Sequence, residues 1–191
     1  LTCVLHRYTV ILEKQRISRI LLTRSKAIKT EIFDERHMAV ALELARRGLG
    51  RVWPNPAVGR VLVRESKVVG RGWTQPGGRP HAETEALDRA AQWAQGATAY
   101  VSLEPCVHKG KTRPCVDALV GAGIARCVVA LEDPDPRVSG RGITQMRQAG
   151  LEVRLGMLGD QARELNEGFF SRINRRRPMV TLKFATTLDG F

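Results

Sequence analysis

Residues 80–115 read PHAETEALDRAAQWAQGATAYVSLEPCVHKGKTRPC, a stretch that carries His81-Ala82-Glu83, Pro105-Cys106 and Pro114-Cys115. It supplies one imidazole, two thiols and one carboxylate, with a proline directly before each of His81, Cys106 and Cys115. A catalytic zinc site needs three protein ligands and an open fourth position for water. Taken singly, each residue has an ordinary reading: a lone Cys, for instance, is usually a small buried hydrophobe. Together, at this spacing, they predict zinc held by His81, Cys106 and Cys115, with Glu83 beside the metal but not bound to it.

The spacing makes sense in one kind of place. Residues two apart on a regular helix point about 200° apart, so His81 and Glu83 serve one site only where the chain has not yet settled into helical geometry. Pro80 suits a helix start, because its missing N–H falls among donors that the first turn leaves unpaired. Residues 84–95 then read as helix, with Ala86, Leu87, Ala90, Ala91 and Ala94 as the apolar stripe. Cys115 opens a second helix behind Pro114, and helix N-termini stabilise thiolate, the form that binds metal. One His, two Cys and the Glu of an H-x-E are the ligand and proton-carrier set of zinc-dependent nucleobase deaminases. The cysteines here stand nine positions apart instead of the usual three.

Outward from this stretch, Asp34 reads as the N-cap of a helix bearing Met38, Ala41, Leu42 and Ala45, stopped by Gly48. Trp53-Pro54-Asn55-Pro56 is a rigid loop. Residues 58–63 and 67–73 read as strands around a polar break, and 98–103 as a strand delivering Glu104-Pro105-Cys106. A strand over 127–131 leads to the loop Asp133-Pro134-Asp135-Pro136, then a helix over 143–149 and a strand over 151–155. This order predicts an α/β fold: a three-layer α-β-α sandwich around a five-stranded mixed sheet, with an opening hairpin and parallel crossovers. The loops bearing chemistry fall at strand-to-helix junctions, where open α/β sheets bind ligands.

Of the 191 residues, 43% are hydrophobic, enough for one domain of about 150 residues with a real core. No apolar run approaches the ~20 residues of a membrane span. Cys3, Cys106, Cys115 and Cys127 do not form a secreted disulfide framework, which points to a reducing, cytoplasmic setting. Cys127 sits in an apolar run and reads as a buried strand residue. The net charge of +12 is unevenly spread: residues 1–30 hold seven Lys/Arg against Glu13 alone, and Arg172, Arg175, Arg176 and Arg177 cluster near the other end. The body between them has no basic stripe interleaved with aromatics, so no nucleic-acid partner is expected. Residues 1–33 are read as a basic extension outside the fold, with organellar targeting by 1–30 as one reading and a plain upstream extension as the other. Because the first residue is Leu, the chain reads as a fragment, a processed product or a translation begun at an unusual codon.

With these residues in place, the chain from about Asp34 onward resembles the cytidine-deaminase-like superfamily. Within it, it is similar to the deaminase domain of the bifunctional riboflavin-biosynthesis deaminase/reductase family. The parts that carry the resemblance are Pro54-Asn55-Pro56-x-Val58-Gly59, His81-Ala82-Glu83, and Leu103-Glu104-Pro105-Cys106 with the long step to Cys115. Gly110-Lys111-Thr112 and Asp133-Pro134-x-Pro136 before Gly140-Arg141-Gly142 add to it. Cytidine and tRNA adenosine deaminases normally show the short Cys-x-x-Cys step, which favours the riboflavin branch.

The resemblance implies hydrolysis of the 2-amino group of 2,5-diamino-6-ribosylamino-4(3H)-pyrimidinone 5′-phosphate, a small phosphorylated pyrimidine. It makes His81, Cys106 and Cys115 the zinc ligands and Glu83 the proton shuttle. Asn55 and His108 would contact the base and ribose side, Lys111 the phosphate, and Asp133 and Asp135 the ribose pocket. Trp53, Arg60, Thr74, Val107, Arg113 and Asp135 stand where His, Cys, His, Ser, Pro and Asn are common in the family, which leaves fine substrate contacts open. Residues 34–158 are the expected deaminase domain. Residues 159–191 would be a helix over 159–172 and, over 178–187, the first strand of a reductase domain, to which any NADPH would belong. A homo-oligomer is compatible with this reading.

Two rivals stand beside it. A deaminase acting on another base, including one in RNA, would need a basic or aromatic surface around the site. A zinc-stabilised scaffold would normally have four protein ligands and no use for Glu83. A Walker reading of Gly110-Lys111-Thr112 lacks the upstream glycine.

Overall fold

The structure, a computed structural model, describes residues 2–108 and 113–190, with side chains from residue 24 onward. Its sheet grows from the predicted hairpin. Strands β1 (Gly59–Arg64) and β2 (Lys67–Trp73) pair antiparallel and turn through Glu65 and Ser66, at φ 50° and 63°. A turn with both central residues at positive φ matches the twist of the strands it joins. β1 also pairs antiparallel with β3 (Thr98–Val101), while β3, β4 (Arg126–Val129) and β5 (Glu152–Leu155) run parallel. The order β2-β1-β3-β4-β5 is the expected five-stranded mixed sheet. β3 and β4 end sooner than the apolar runs suggest, because residues 102–106 and 130–136 leave the ladder to build loops at its carboxyl edge.

Helices cover both faces. Helix α1 (Thr2–Arg46) lays Met38, Ala41, Leu42 and Ala45 against Val61, Val63, Tyr100 and Val128. On the other face, α2 (Ala82–Ala90), α3 (Cys115–Gly121) and α4 (Arg141–Gln148) cover Leu62, Val101, Cys127 and Val129. Each large apolar side chain so buried contributes roughly 1.5–3 kcal/mol. Two glycines let the helices come this close. A Cβ at Gly59 would lie 1.9 Å from the Ala41 carbonyl oxygen, and one at Gly72 would lie 2.3 Å from that of Ala82.

Other expectations change as well, and the helix expected over 84–95 ends at Ala90 and gives way to a 3-10 turn over Ala91–Ala94. Asp34 is no N-cap: α1 runs through it without a break. Its fully buried carboxylate accepts bonds from Arg126 Nη1 and Nη2 at 2.8 and 2.7 Å, from Tyr100 Oη at 2.8 Å and from Arg154 Nη1 at 3.3 Å. Burial alone would raise its pKa, but the Arg126 and Tyr100 bonds hold it below the usual carboxylate value. A lone acid before an apolar run looks like a cap; its partners on β3, β4 and β5 are invisible locally. Pro80 likewise stands outside the helix: His81 is the cap of α2, extended at φ −72° and ψ 158°.

The helix expected over 159–172 is two, α5 (Gly159–Leu165) and α6 (Glu167–Arg175). They meet at Asn166, whose backbone at φ −108° and ψ 21° departs from helical geometry and whose side chain bonds the backbone of Ala57. Residues 178–187 form no strand, and Val180, Leu182 and Phe184 are exposed. A strand needs a neighbour to take its N–H and C=O groups, and the described residues supply none. No helix among them is long and apolar enough to cross a membrane.

Candidate metal centre and its pocket

The site is assembled from two helix starts and two strand ends. His81 caps α2, Glu83 lies in that helix's first turn, and Cys115 is the first residue of α3. Cys106 comes from the segment after β3, and its carbonyl accepts the Val116 N–H at 3.2 Å, which ties it to α3. His81 Nδ1 lies 3.3 Å from Cys115 Sγ and 3.8 Å from Cys106 Sγ, and all three ligand atoms fall within 4.8 Å of one another. Zinc bonds of about 2.0 Å to nitrogen and 2.3 Å to sulfur place tetrahedral ligand atoms roughly 3.5–3.8 Å apart. The donor set and its spacing fit that ion.

The two thiols are unequal. The S–H of Cys115 and the ring of His81 push the Cys106 thiol down to about 4, against burial, while Cys115, holding the shared proton, is pushed up. A cation bound by both sulfurs would displace their protons.

Around the cluster lies a cavity of about 190 Å³, partly open to solvent. Asn55, His81, Glu83, Cys106, His108, Asp133 and Asp135 all line it, so residues predicted from four separate sequence segments meet in one place. Lys111 falls outside the described residues. Asn55 Nδ2 donates to the Gly78 carbonyl at 2.7 Å and lies 3.3 Å from His81 Nε2, so it also braces the imidazole. Burial raises Asp133 to about 7, with Asp135 and Glu104 adding repulsion. Asp135 is held low by the Arg137 guanidinium, whose Nε donates to it at 3.0 Å. Thr74, one of the departures from the common pattern, braces the Val58 backbone. Trp53 stands in solvent.

Sequence reasoning missed part of the wall. In the sequence Glu104 is only part of a motif, yet its buried carboxylate accepts N–H bonds from Ile143 at 3.0 Å, Gly140 at 2.9 Å and Asp133 at 3.2 Å. It fixes the Asp133 loop and the start of α4 to the segment bearing Cys106. Gly142 is needed there, since a Cβ would lie 2.4 Å from the Pro105 carbonyl. Phe169, Arg172 and Ile173 of α6 close another side, with Arg172 Nη2 donating to the Pro54 carbonyl at 2.7 Å. The break at Asn166 gave no local signal. Arg60 is entirely buried on β1, its Nη2 3.8 Å from Glu83 Oε1.

Known proteins resemble this chain in sequence and fold. The chain is 52% identical over 157 residues to the riboflavin biosynthesis protein RibD of Aquifex aeolicus, covering 82% of this chain and 44% of that protein. A solved structure of Acinetobacter baumannii RibD matches with 46% identity and a TM-score of 0.79, over 84% of this chain and 45% of that one. A Thermotoga maritima diaminohydroxyphosphoribosylaminopyrimidine deaminase/5-amino-6-(5-phosphoribosylamino)uracil reductase matches with 42% identity and a TM-score of 0.80, over 84% and 46%. The chain thus spans less than half the length of these relatives. Residues 31–131, which hold every ligand and the shuttle candidate, match the family described as the cytidine and deoxycytidylate deaminase zinc-binding region, and the chain belongs to that family.

Proposed function

We propose that this chain hydrolyses 2,5-diamino-6-ribosylamino-4(3H)-pyrimidinone 5′-phosphate to 5-amino-6-ribosylaminouracil 5′-phosphate and ammonia. The observation that carries the reading is the His81, Cys106 and Cys115 cluster with the buried Glu83 beside it in one cavity. The likeness to RibD proteins directs it to this substrate. Zinc held by the three ligands supplies a Lewis-acidic centre that brings the pKa of water toward 7. Glu83 accepts a proton from the attacking water, delivers it to a ring nitrogen, and then helps protonate the departing amine. Asn55 and His108 orient the base, Asp133 and Asp135 the ribose, and Lys111 the phosphate. Phe169 and Arg172 close the cavity and limit water.

We place the activity in the cytoplasm, assign no reduction to these residues, and read 34–158 as the deaminase domain. Ammonia release from the diaminopyrimidine ribotide, set beside cytidine and guanine, tests the reading. Release from the ribotide alone is the expected result; preference for either of the others would overturn the substrate assignment.

A further inference from the structure

Arg60 is the most unusual residue in this core. Val58 and Leu62, two positions to either side of it along the chain, belong to the apolar cluster beneath α2 and α3, and Arg60 itself is 0% exposed. Its Nε, Nη1 and Nη2 have no hydrogen-bond partner. The nearest acid is Glu83, 3.8 Å away and itself buried. Burying a guanidinium is costly unless opposite charge sits close by, and among the described residues its ion-pair partner is Glu83, at the reaction centre. With a divalent cation, two thiolates and an ionised Glu83, the cluster would carry one net negative charge; Arg60 brings it to zero.

We propose that Arg60 is a positioning residue for Glu83, its sealed guanidinium holding the carboxylate toward the metal cluster by charge from beneath the first turn of α2. The inference rests on the deaminase reading, in which Glu83 moves protons. At 3.8 Å the pair is close enough for strong attraction in a dry setting, yet Arg60 does not tie up an oxygen of Glu83 in a short hydrogen bond. The carboxylate keeps its lone pairs for protons. Arg60 has no place on the cavity wall, so its effect on substrate binding is indirect and small.

The zinc-loaded full chain tests this through two independent readouts. In a thermal double-mutant cycle, Glu83→Gln leaves Arg60 without a counter-charge and should lower Tm on the order of 10 °C. Arg60→Met in that background should recover much of the loss, a non-additivity that reports the pairing of Arg60 with Glu83. In turnover, Arg60→Met should lower kcat at least about 10-fold with KM within about 2-fold, Arg60→Lys should restore part of it, and zinc content should match the parent. If Arg60→Met does not fold, Arg60→Lys against the neutral Arg60→Gln gives the same comparison. Additive Tm changes, or parental kcat in the neutral variant, would overturn the assignment. A parent that releases no ammonia from the ribotide would instead overturn the deaminase reading, whatever the thermal cycle shows.

Discussion

The side chain of Asn166 bonds both polar groups of one buried residue, Ala57: its Oδ1 accepts the Ala57 N–H and its Nδ2 donates to the Ala57 carbonyl, each at 2.9 Å. This pair clamps the junction of α5 and α6 to the loop carrying Asn55, and so sets where Phe169 and Arg172 meet the cavity.

Replacing Asn166 with Ala should leave two buried backbone groups unpaired, at about 1–3 kcal/mol each before relaxation. Urea unfolding should show a loss of roughly 2–4 kcal/mol, and KM for the ribotide should rise as the wall loosens. Parental stability would mean that the clamp is dispensable.

Cys115→Ser removes a thiolate from a set of three ligands. Metal analysis after dialysis against a chelator should find about one zinc per parent chain and far less in the variant. Full retention would point to a different ligand set.

Glu83→Gln should fold and keep zinc but lose at least the ~10²–10⁴-fold that general acid–base catalysis contributes. Turnover near the parental rate would remove Glu83 from the proton path.

Asp34 should make stability fall in acid. Its ordinary value is 3.8, and the fold holds it lower, so the unfolded chain takes up the proton first as pH drops. The stabilisation is therefore complete above about pH 4 and is lost as pH falls through the lower folded value. Asp34→Asn should cost roughly 1.5–3 kcal/mol at pH 7, and its deficit against the parent should shrink below about pH 4. A deficit independent of pH would assign Asp34 to shape alone.

The cluster of His81, Cys106 and Cys115 was legible in the sequence because each of the three is positioned locally. His81 and Cys115 stand at helix starts, and Cys106 follows directly on a strand end, so residue type and spacing carried the geometry. The hairpin and the five-stranded mixed sheet were legible for a similar reason: alternation of apolar residues and turn-forming breaks are short-range signals. What the residues around the ligands do was settled by contacts between distant segments. Asp34 looked like a cap until Tyr100 and Arg126 closed on it from the sheet. Glu104 looked like a motif letter until the start of α4 came to its carboxylate. Arg60 looked like a departure from a common pattern; only stacking β1 beneath α2 shows it sealed beside Glu83. Local sequence specifies which groups stand at a helix start or strand end, whereas burial and long-range pairing, which set the worth of a buried charge, exist only once the layers have closed.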